Sequence, residues 1–378
     1  MRLPSRVVLL LCLVAPLRLL AQAPNDTTHR AGWGWDLSSL LTGSHGFVPV
    51  PFAFGNPVVG LGGGLGIVFY RPPVLKNTDT VDLRRPPASV GIGGFYTSKA
   101  AWGAAGGAYK PWHNDRYRYL GVIAGGSAGL HYFGLRDSPF QHNPLDYTFE
   151  PVGTLQRVQA RILDFPLFIG AEYDYVHTRS TFDPAITLPS ELPKAEQKID
   201  MGGLAGSLVY DTRNNFLDAT SGLDLSAKLT GYGRWLGSSN GFGRFNAFAL
   251  GYAQPRNMWG FAGRLDLTSA WGDVPFFYVP YIDMRGLQTQ KFSGNVTALG
   301  EGEVRMTVLT RWTAIAFGGV GSAARDWNDL SSARVAAGGG VGFRYLLAKK
   351  FGIRSGVDVA VGTGGKPLFY LQNGATWK

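Results

Sequence analysis

From Val279 the chain reads VPYIDMRGLQTQKFSGNV (279–296), TALGEGEVRMTVL (297–309), TRW (310–312) and TAIAFGGVGSA (313–323). The first piece is a long loop carrying Met284-Arg285-Gly286. The second alternates: Glu301, Glu303, Arg305 and Thr307 fall on one side, Gly302, Val304, Met306 and Val308 on the other. A period of two marks a strand with one polar and one apolar face. Thr310-Arg311-Trp312 is a short turn, and another strand pattern follows at once. A loop with an arginine at its tip, beside a strand whose charges share a face, points to a cation folded back into a barrel.

The same alternation recurs outward from this stretch. Leu223, Leu225, Ala227 and Leu229 alternate with Asp224, Ser226, Lys228 and Thr230. Phe261, Gly263, Leu265 and Leu267 alternate with Ala262, Arg264, Asp266 and Thr268. Ile169, Ala171, Tyr173 and Tyr175 alternate with Gly170, Glu172 and Asp174. Arg157, Gln159 and Arg161 share a face, as do Arg354 and Asp358. About sixteen segments have the length that a tilted strand needs to cross a membrane. The first, 46–54, is the weakest, because Pro49 and Pro51 lack ladder donors. The last runs over 367–377. Keeping the first makes the count even, which suits a closed bacterial barrel. The expectation is an all-β, transmembrane antiparallel β-barrel of about 16 strands over 46–378, with an inward-folded loop at 272–296. Short turns such as 164–166, 254–257 and 310–312 belong on the periplasmic side, and the long segments 134–146, 179–199 and 272–296 outside. The segment 71–87 breaks the pattern, being long yet periplasmic by strand parity.

Composition agrees. Only 16% of residues are charged, aromatics reach 13%, and there are 53 glycines. No apolar run of about 18 residues occurs beyond the N-terminal segment. Lipid-facing apolar residues diluted by lumen-facing polar ones give this balance. A soluble sandwich also alternates, with its apolar face against a second sheet, but the N-terminus argues for export. Arg2 and Arg6 precede a short apolar core from Val7 to Ala15, and Ala21-Gln22-Ala23 offers a cleavage site, so 1–23 reads as a signal peptide. Residues 24–45 then form a short periplasmic leader. The single cysteine, Cys12, lies in the signal, so the mature chain has no disulfide or thiolate metal site. Losing Arg2, Arg6 and Arg18 lowers the formal charge from +10 to +7. A basic balance can mean nucleic-acid binding, but export and scattered arginines argue against it.

The residues MRGL (284–287), EVR (303–305) and AFGGVG (316–321) resemble the loop and following strands of the bacterial surface-antigen superfamily, the BamA/TamA-like outer-membrane assembly barrels. The resemblance implies that Arg285 and Gly286 form a loop-tip brace inside the lumen, with Glu303 as the acidic partner. The family often has an aspartate between the Phe and the Gly of the second strand. Here Phe317-Gly318-Gly319 has none, so Glu303, with Glu301, is left to supply the countercharge alone, and Arg305 lies nearby. Val209-Tyr210-Asp211-Thr212-Arg213-Asn214-Asn215, closed by Ser221-Gly222, resembles the family's periplasmic rim turn, with Asp211 and Arg213 pairing across it. Gly374 and Trp377 resemble the terminal recognition signal of outer-membrane barrels, although Lys378 displaces the aromatic from the end. The 24–45 leader is too short for the periplasmic chaperone-like domains that the family usually carries.

Enzyme signals are weak. Gly60-Leu61-Gly62-Gly63-Gly64-Leu65-Gly66 lies in a strand pattern, opens no helix and lacks the lysine-serine ending of a phosphate loop. Six histidines are scattered without metal-binding spacing. His177 and Ser180 are close, but at a strand end. The resulting expectation is a barrel in the outer membrane of a Gram-negative-type bacterium that assists insertion or translocation of proteins or lipids. A passive or gated pore and a barrel enzyme stay as alternatives. Its partners would be outer-membrane lipids and unfolded protein or lipid clients, with no nucleic acid, no cofactor and no metal. The oligomeric state stays open.

Overall fold

The computed structural model describes residues 47–377 apart from 57, 72–83, 87, 135–137, 183–195, 216–217, 349–352, 366 and 374–376. The signal and leader at 1–45, most of 71–87, and Gly374 therefore lie outside the described residues.

Sixteen strands follow one another. They are β1 (Phe47–Asn56), β2 (Gly60–Arg71), β3 (Ala88–Thr97), β4 (Trp102–Trp112), β5 (Tyr117–Tyr132) and β6 (Leu145–Arg161). Next come β7 (Leu167–Phe182), β8 (Glu196–Asp211), β9 (Gly222–Tyr232), β10 (Phe242–Arg256) and β11 (Trp259–Gly272). The last five are β12 (Val296–Leu309), β13 (Trp312–Ala324), β14 (Val335–Ala348), β15 (Ile353–Gly362) and β16 (Leu368–Asn373). Each pairs antiparallel with its neighbours in sequence, and β1 pairs with β16, so the sheet is a closed barrel. Two-residue turns join β10 to β11 and β12 to β13, with Arg256 opposite Trp259 and Leu309 opposite Trp312.

Burial follows the alternation and inverts the usual rule of apolar residues inside. In β9, Leu223, Leu225 and Leu229 are exposed, while Asp224, Lys228 and Thr230 are buried. In β11, Leu265 and Phe261 are exposed and Arg264 is buried. In β7, Ile169 is exposed and Glu172 is buried. A water-soluble protein would not turn its leucines out and its charges in. A bilayer outside and a polar lumen inside require it. Exposed Trp112, Tyr117 and Trp312 mark the short-turn end of the wall, and exposed Trp271, Trp235 and Trp327 the long-loop end. These are the amphipathic rings of membrane–water boundaries.

Two sequence expectations need correction at strand ends. β7 and β8 run into both ends of the 179–199 segment expected as an outer loop, because Thr181 still pairs with Glu196. The final strand does not reach 377: β16 stops at Asn373, and Trp377 is only 3% exposed. An aromatic on the lipid face would be open, so Trp377 belongs to the interior.

The interior is filled in layers. At the outer loop end, Tyr132, Tyr147, Phe149, Phe182, Tyr232, Phe242, Phe277 and Tyr278 form one apolar cluster. Phe276–Tyr278 is a short 3-10 turn in the segment after β11, and Phe276 meets Tyr132, Tyr147 and Phe182 at 5.4–5.6 Å between ring centroids. Below it the buried wall of β6–β9 carries Arg157 and Lys228 on either side of Glu172, with Lys228 Nζ donating to Glu172 Oε1 at 2.8 Å.

Leu265 sits midway along β11 and is 64% exposed. Replacing an exposed leucine of a soluble protein by arginine typically changes stability by less than about 0.5 kcal/mol. At the bilayer midplane the same change costs about 2–4 kcal/mol. Leu265→Arg is therefore expected to destabilise the barrel by about 2–4 kcal/mol, read by equilibrium folding into lipid vesicles. A neutral effect would contradict a lipid-facing β11.

Candidate functional site at the loop tip

The segment between β11 and β12 is a narrow finger. Ile282 N–H donates to the Phe292 carbonyl at 2.9 Å, Gly294 N–H donates to the Pro280 carbonyl at 3.0 Å, and Tyr281 bridges Ser293. The tip between these two legs carries Arg285-Gly286. At the finger's base, Arg244 Nη1 donates to the Tyr278 carbonyl at 2.6 Å, fixing it to β10.

The finger approaches β13–β15 where those strands lack side-chain bulk. A Cβ on Gly319 would lie 2.7 Å from Met284 Sδ, and one on Gly321 2.9 Å from Ile282 Cγ2. On Gly338 it would meet the Arg285 carbonyl at 2.6 Å, and on Gly362 the Gly286 carbonyl at 2.5 Å. Ile282, Met284 and Leu287 pack with Leu299 and Ala336 in one buried cluster. Gly286 adopts φ +94°, and a Cβ there would meet the Val361 carbonyl at 2.7 Å. Only glycine serves at that position.

Arg285 uses every nitrogen of its guanidinium. Nε donates to Glu301 Oε1 at 2.9 Å, Nη2 to Glu303 Oε2 at 2.8 Å, and Nη1 to Asp358 Oδ2 at 3.0 Å. Its flat face lies over the Phe317 ring, 3.4 Å from the centroid. Each carboxylate is also held by a second arginine. Arg264 Nη1 lies 3.4 Å from Glu301 Oε2, Arg305 Nε 2.7 Å from Glu303 Oε1, and Arg344 holds Asp358 with two bonds of 2.5 and 2.8 Å. Four cations and three carboxylates thus interlock on the buried faces of β11, β12, β14 and β15 around one loop arginine. Arg264 also bonds Asp266 and the Asp283 carbonyl, which ties the set back to the finger.

The last strand joins this network. Gly286 N–H donates to Tyr370 Oη of β16 at 3.1 Å. Trp377 Nε1 donates to Glu301 Oε2 at 3.0 Å, and its ring lies 5.6 Å from the Arg285 guanidinium. The indole packs with Ala219, Leu250, Tyr252 and Ala262.

The rim turn after β8 is a second charged site. Arg213 donates to Asp211 from Nε at 2.9 Å and from Nη2 at 2.7 Å, and lies 3.0 Å from Asp224. Burial works against the Arg213 charge, but Asp211 and Asp224 hold its pKa above the ordinary guanidinium range. Gly222 closes the turn at φ +105°, where a Cβ would lie 2.4 Å from the Thr212 carbonyl. Asp218 of the same turn pairs with Arg354 of β15, so the turn reaches across to a distant strand.

The structure brings together Arg285, Gly286, Glu301, Glu303 and Arg305, and separately Asp211, Arg213 and Gly222. It corrects the reading that Glu303 and Glu301 alone supply the countercharge. Asp358 is the third carboxylate, and it stands 73 residues beyond Arg285. Its shared face with Arg354 was a signal for the lumen, but nothing local linked it to the loop. Tyr370 and Asp224 were also missed as partners. Trp377, read as part of a terminal signal, sits against the loop network.

No family model matches the chain, and no curated protein does. Solved structures do match. BamA from Haemophilus ducreyi, solved without POTRA domains 1–3, superposes with a TM-score of 0.60 at 12% identity, covering 87% of this chain and 70% of that one. CdiB from Escherichia coli gives 0.59 at 11% identity, covering 86% and 62%. CdiB from Acinetobacter baumannii gives 0.54 at 11% identity, covering 86% and 58%. The barrel therefore has the fold of these proteins, and the chain spans less than two thirds of either CdiB.

Hydrogen bonds to charged groups each contribute about 1.5–3 kcal/mol. A double-mutant cycle on Arg285→Ala and Glu303→Ala should give a coupling in that range by urea unfolding. Arg285→Lys should recover less than half of it, because an ammonium cannot address three carboxylates in one plane. Additive single effects would mean that the two side chains do not meet.

Proposed function

We propose that the protein is an outer-membrane assembly or translocation barrel, which assists insertion or passage of proteins or lipids. In this reading the finger at 272–296 lies in the lumen as a brace, and the junction of β1 and β16 is the gate.

The seam carries the proposal. Among the described residues the register between β1 and β16 is the single pair Gly55↔Leu371, whereas β1 follows β2 continuously from Phe47↔Phe69 to Asn56↔Gly60. Pro49 and Pro51 lie below that pair on β1 and lack N–H donors. A short seam opens at lower cost than any other pair of strands, and an open seam presents unpaired backbone groups. Those groups can pair with an incoming extended segment by strand addition. The loop network supports the division of labour. β16 is tied to the finger through Tyr370 and Gly286, so opening leaves β16 with the β12–β15 wall and frees β1. BamA and CdiB supply the same fold, which agrees with this class of function.

The register gives a direct test. A Cβ built on Gly55 lies 3.6 Å from Leu371 Cβ, within the roughly 3.5–4.5 Å that a disulfide spans. In liposomes the wild-type protein should speed the folding of an unfolded barrel client. The Gly55→Cys/Leu371→Cys variant should lose that gain when oxidised and regain it when reduced. Equal activity in both states would contradict the gate. Steady ion conductance in both states, with no acceleration of folding, would replace it with a pore.

A further inference from the structure

The outer wall directly behind the finger holds a trench of about 570 Å³, lined almost wholly by apolar groups. The register explains it. Two adjacent rows on the lipid face read Ala247–Leu267–Ala298–Ser322–Val335 and Ala249–Leu265–Gly300–Val320–Ala337. On β12 the outward positions Ala298, Gly300 and Gly302 are all small. The strand is a floor between Leu265 and Leu267 of β11 on one side and Val320 of β13 with Val335 of β14 on the other. Over those positions it runs roughly 13 Å along the strand at about 3.3 Å per residue. Leu330, from the segment joining β13 to β14, lines the trench at its outer end.

Charge gives the trench a direction. The joining segment has an arginine at each foot, Arg325 after β13 and Arg334 before β14, both exposed. Asp326 and Asp329 lie further along it, around the short 3-10 turn Trp327–Asp329. Trp327 is 52% exposed, as suits a ring at the membrane–water boundary. The trench thus lies in the apolar band, and its outer end, at Leu330 and Val335, adjoins the segment that carries both arginines.

We infer that this trench is a binding site for one phosphorylated lipid of the outer leaflet, with an acyl chain along β12 and headgroup phosphate at Arg325 and Arg334. The volume falls within the roughly 300–1,000 Å³ of ordinary ligand sites. An arginine fork addresses phosphate oxygens in pairs. A lipid seated there would rest against the same thin, glycine-rich wall that carries the finger on its other face. The inference is independent of whether the seam is a gate.

The test uses the full barrel in detergent micelles, with a hexa-acyl diphosphoryl lipid A as probe and native mass spectrometry as readout. Wild-type protein should retain one lipid. Ala298→Trp, which fills the floor, should lower the retained fraction at least tenfold. Arg325→Gln/Arg334→Gln leaves the wall intact and should lose preference for the diphosphoryl lipid over its dephosphorylated form. Heat-modifiable gel mobility controls for folding in all variants. Equal retention by wild type and both variants would mean general lipid contact only and would overturn the site. Loss of a lipid-free dimer in Ala298→Trp would assign the trench to a second copy of the chain and would overturn it too.

Discussion

A buried guanidinium that engages a carboxylate through each of its three nitrogens at once constrains the rest of this structure. Arg285 sits with one carboxylate on each of three nitrogens and an aromatic ring beneath its plane. Bringing a charge away from water costs several kcal/mol unless partners replace the solvent. Here they come from β12 and β15, strands that are not neighbours. The arrangement exists only when the sheet is curved so that both buried faces reach one point. Arg264, Arg305 and Arg344 complete it by neutralising the carboxylates from outside the triangle. The same need for close approach explains the glycines. Gly286 turns the tip, and Gly319, Gly321, Gly338 and Gly362 remove the bulk that would hold it off.

Thinness follows from that notch, and it has two faces. Where β13–β15 carry glycine inside for the finger, the adjoining β12 carries Ala298, Gly300 and Gly302 outside. The finger packs on one side of the wall and the lipid trench opens on the other. Stiffness in this sector therefore comes from what lies against the wall, not from its own side chains. The seam sector is different. Among the described residues β16 has six, and two of its anchors, Tyr370 and the Asp358 neighbour strand, lead back to Arg285.

Much of this was legible in the sequence because a membrane barrel writes its faces with a strict period of two. Leu223 against Asp224 and Leu265 against Arg264 gave the wall, its lipid side and its lumen side. Arg285 and Glu303 were legible through a resemblance plus strand parity, since both lie within one loop-and-strand unit. Asp358 was not, because a partner on β15 becomes adjacent only when four strands curve together. Trp377 misled for a related reason. An aromatic near the chain's end fits the alternation of a last strand, but β16 ends at Asn373, and an indole with an N–H finds a better partner in Glu301. The trench was invisible to periodicity, since small and large residues count alike as apolar. It emerges from register across five strands.

The central claim is that the Arg285 network holds β16 to the finger and so sets how readily the seam opens. Hydrogen exchange of the β16 amides in folded protein measures this directly. Tyr370→Phe removes the bond to Gly286 and keeps the ring. The account predicts faster exchange across 368–373 and in β1, with β6–β8 unchanged. Exchange that stays the same in β16, or that rises equally in every strand, would contradict it.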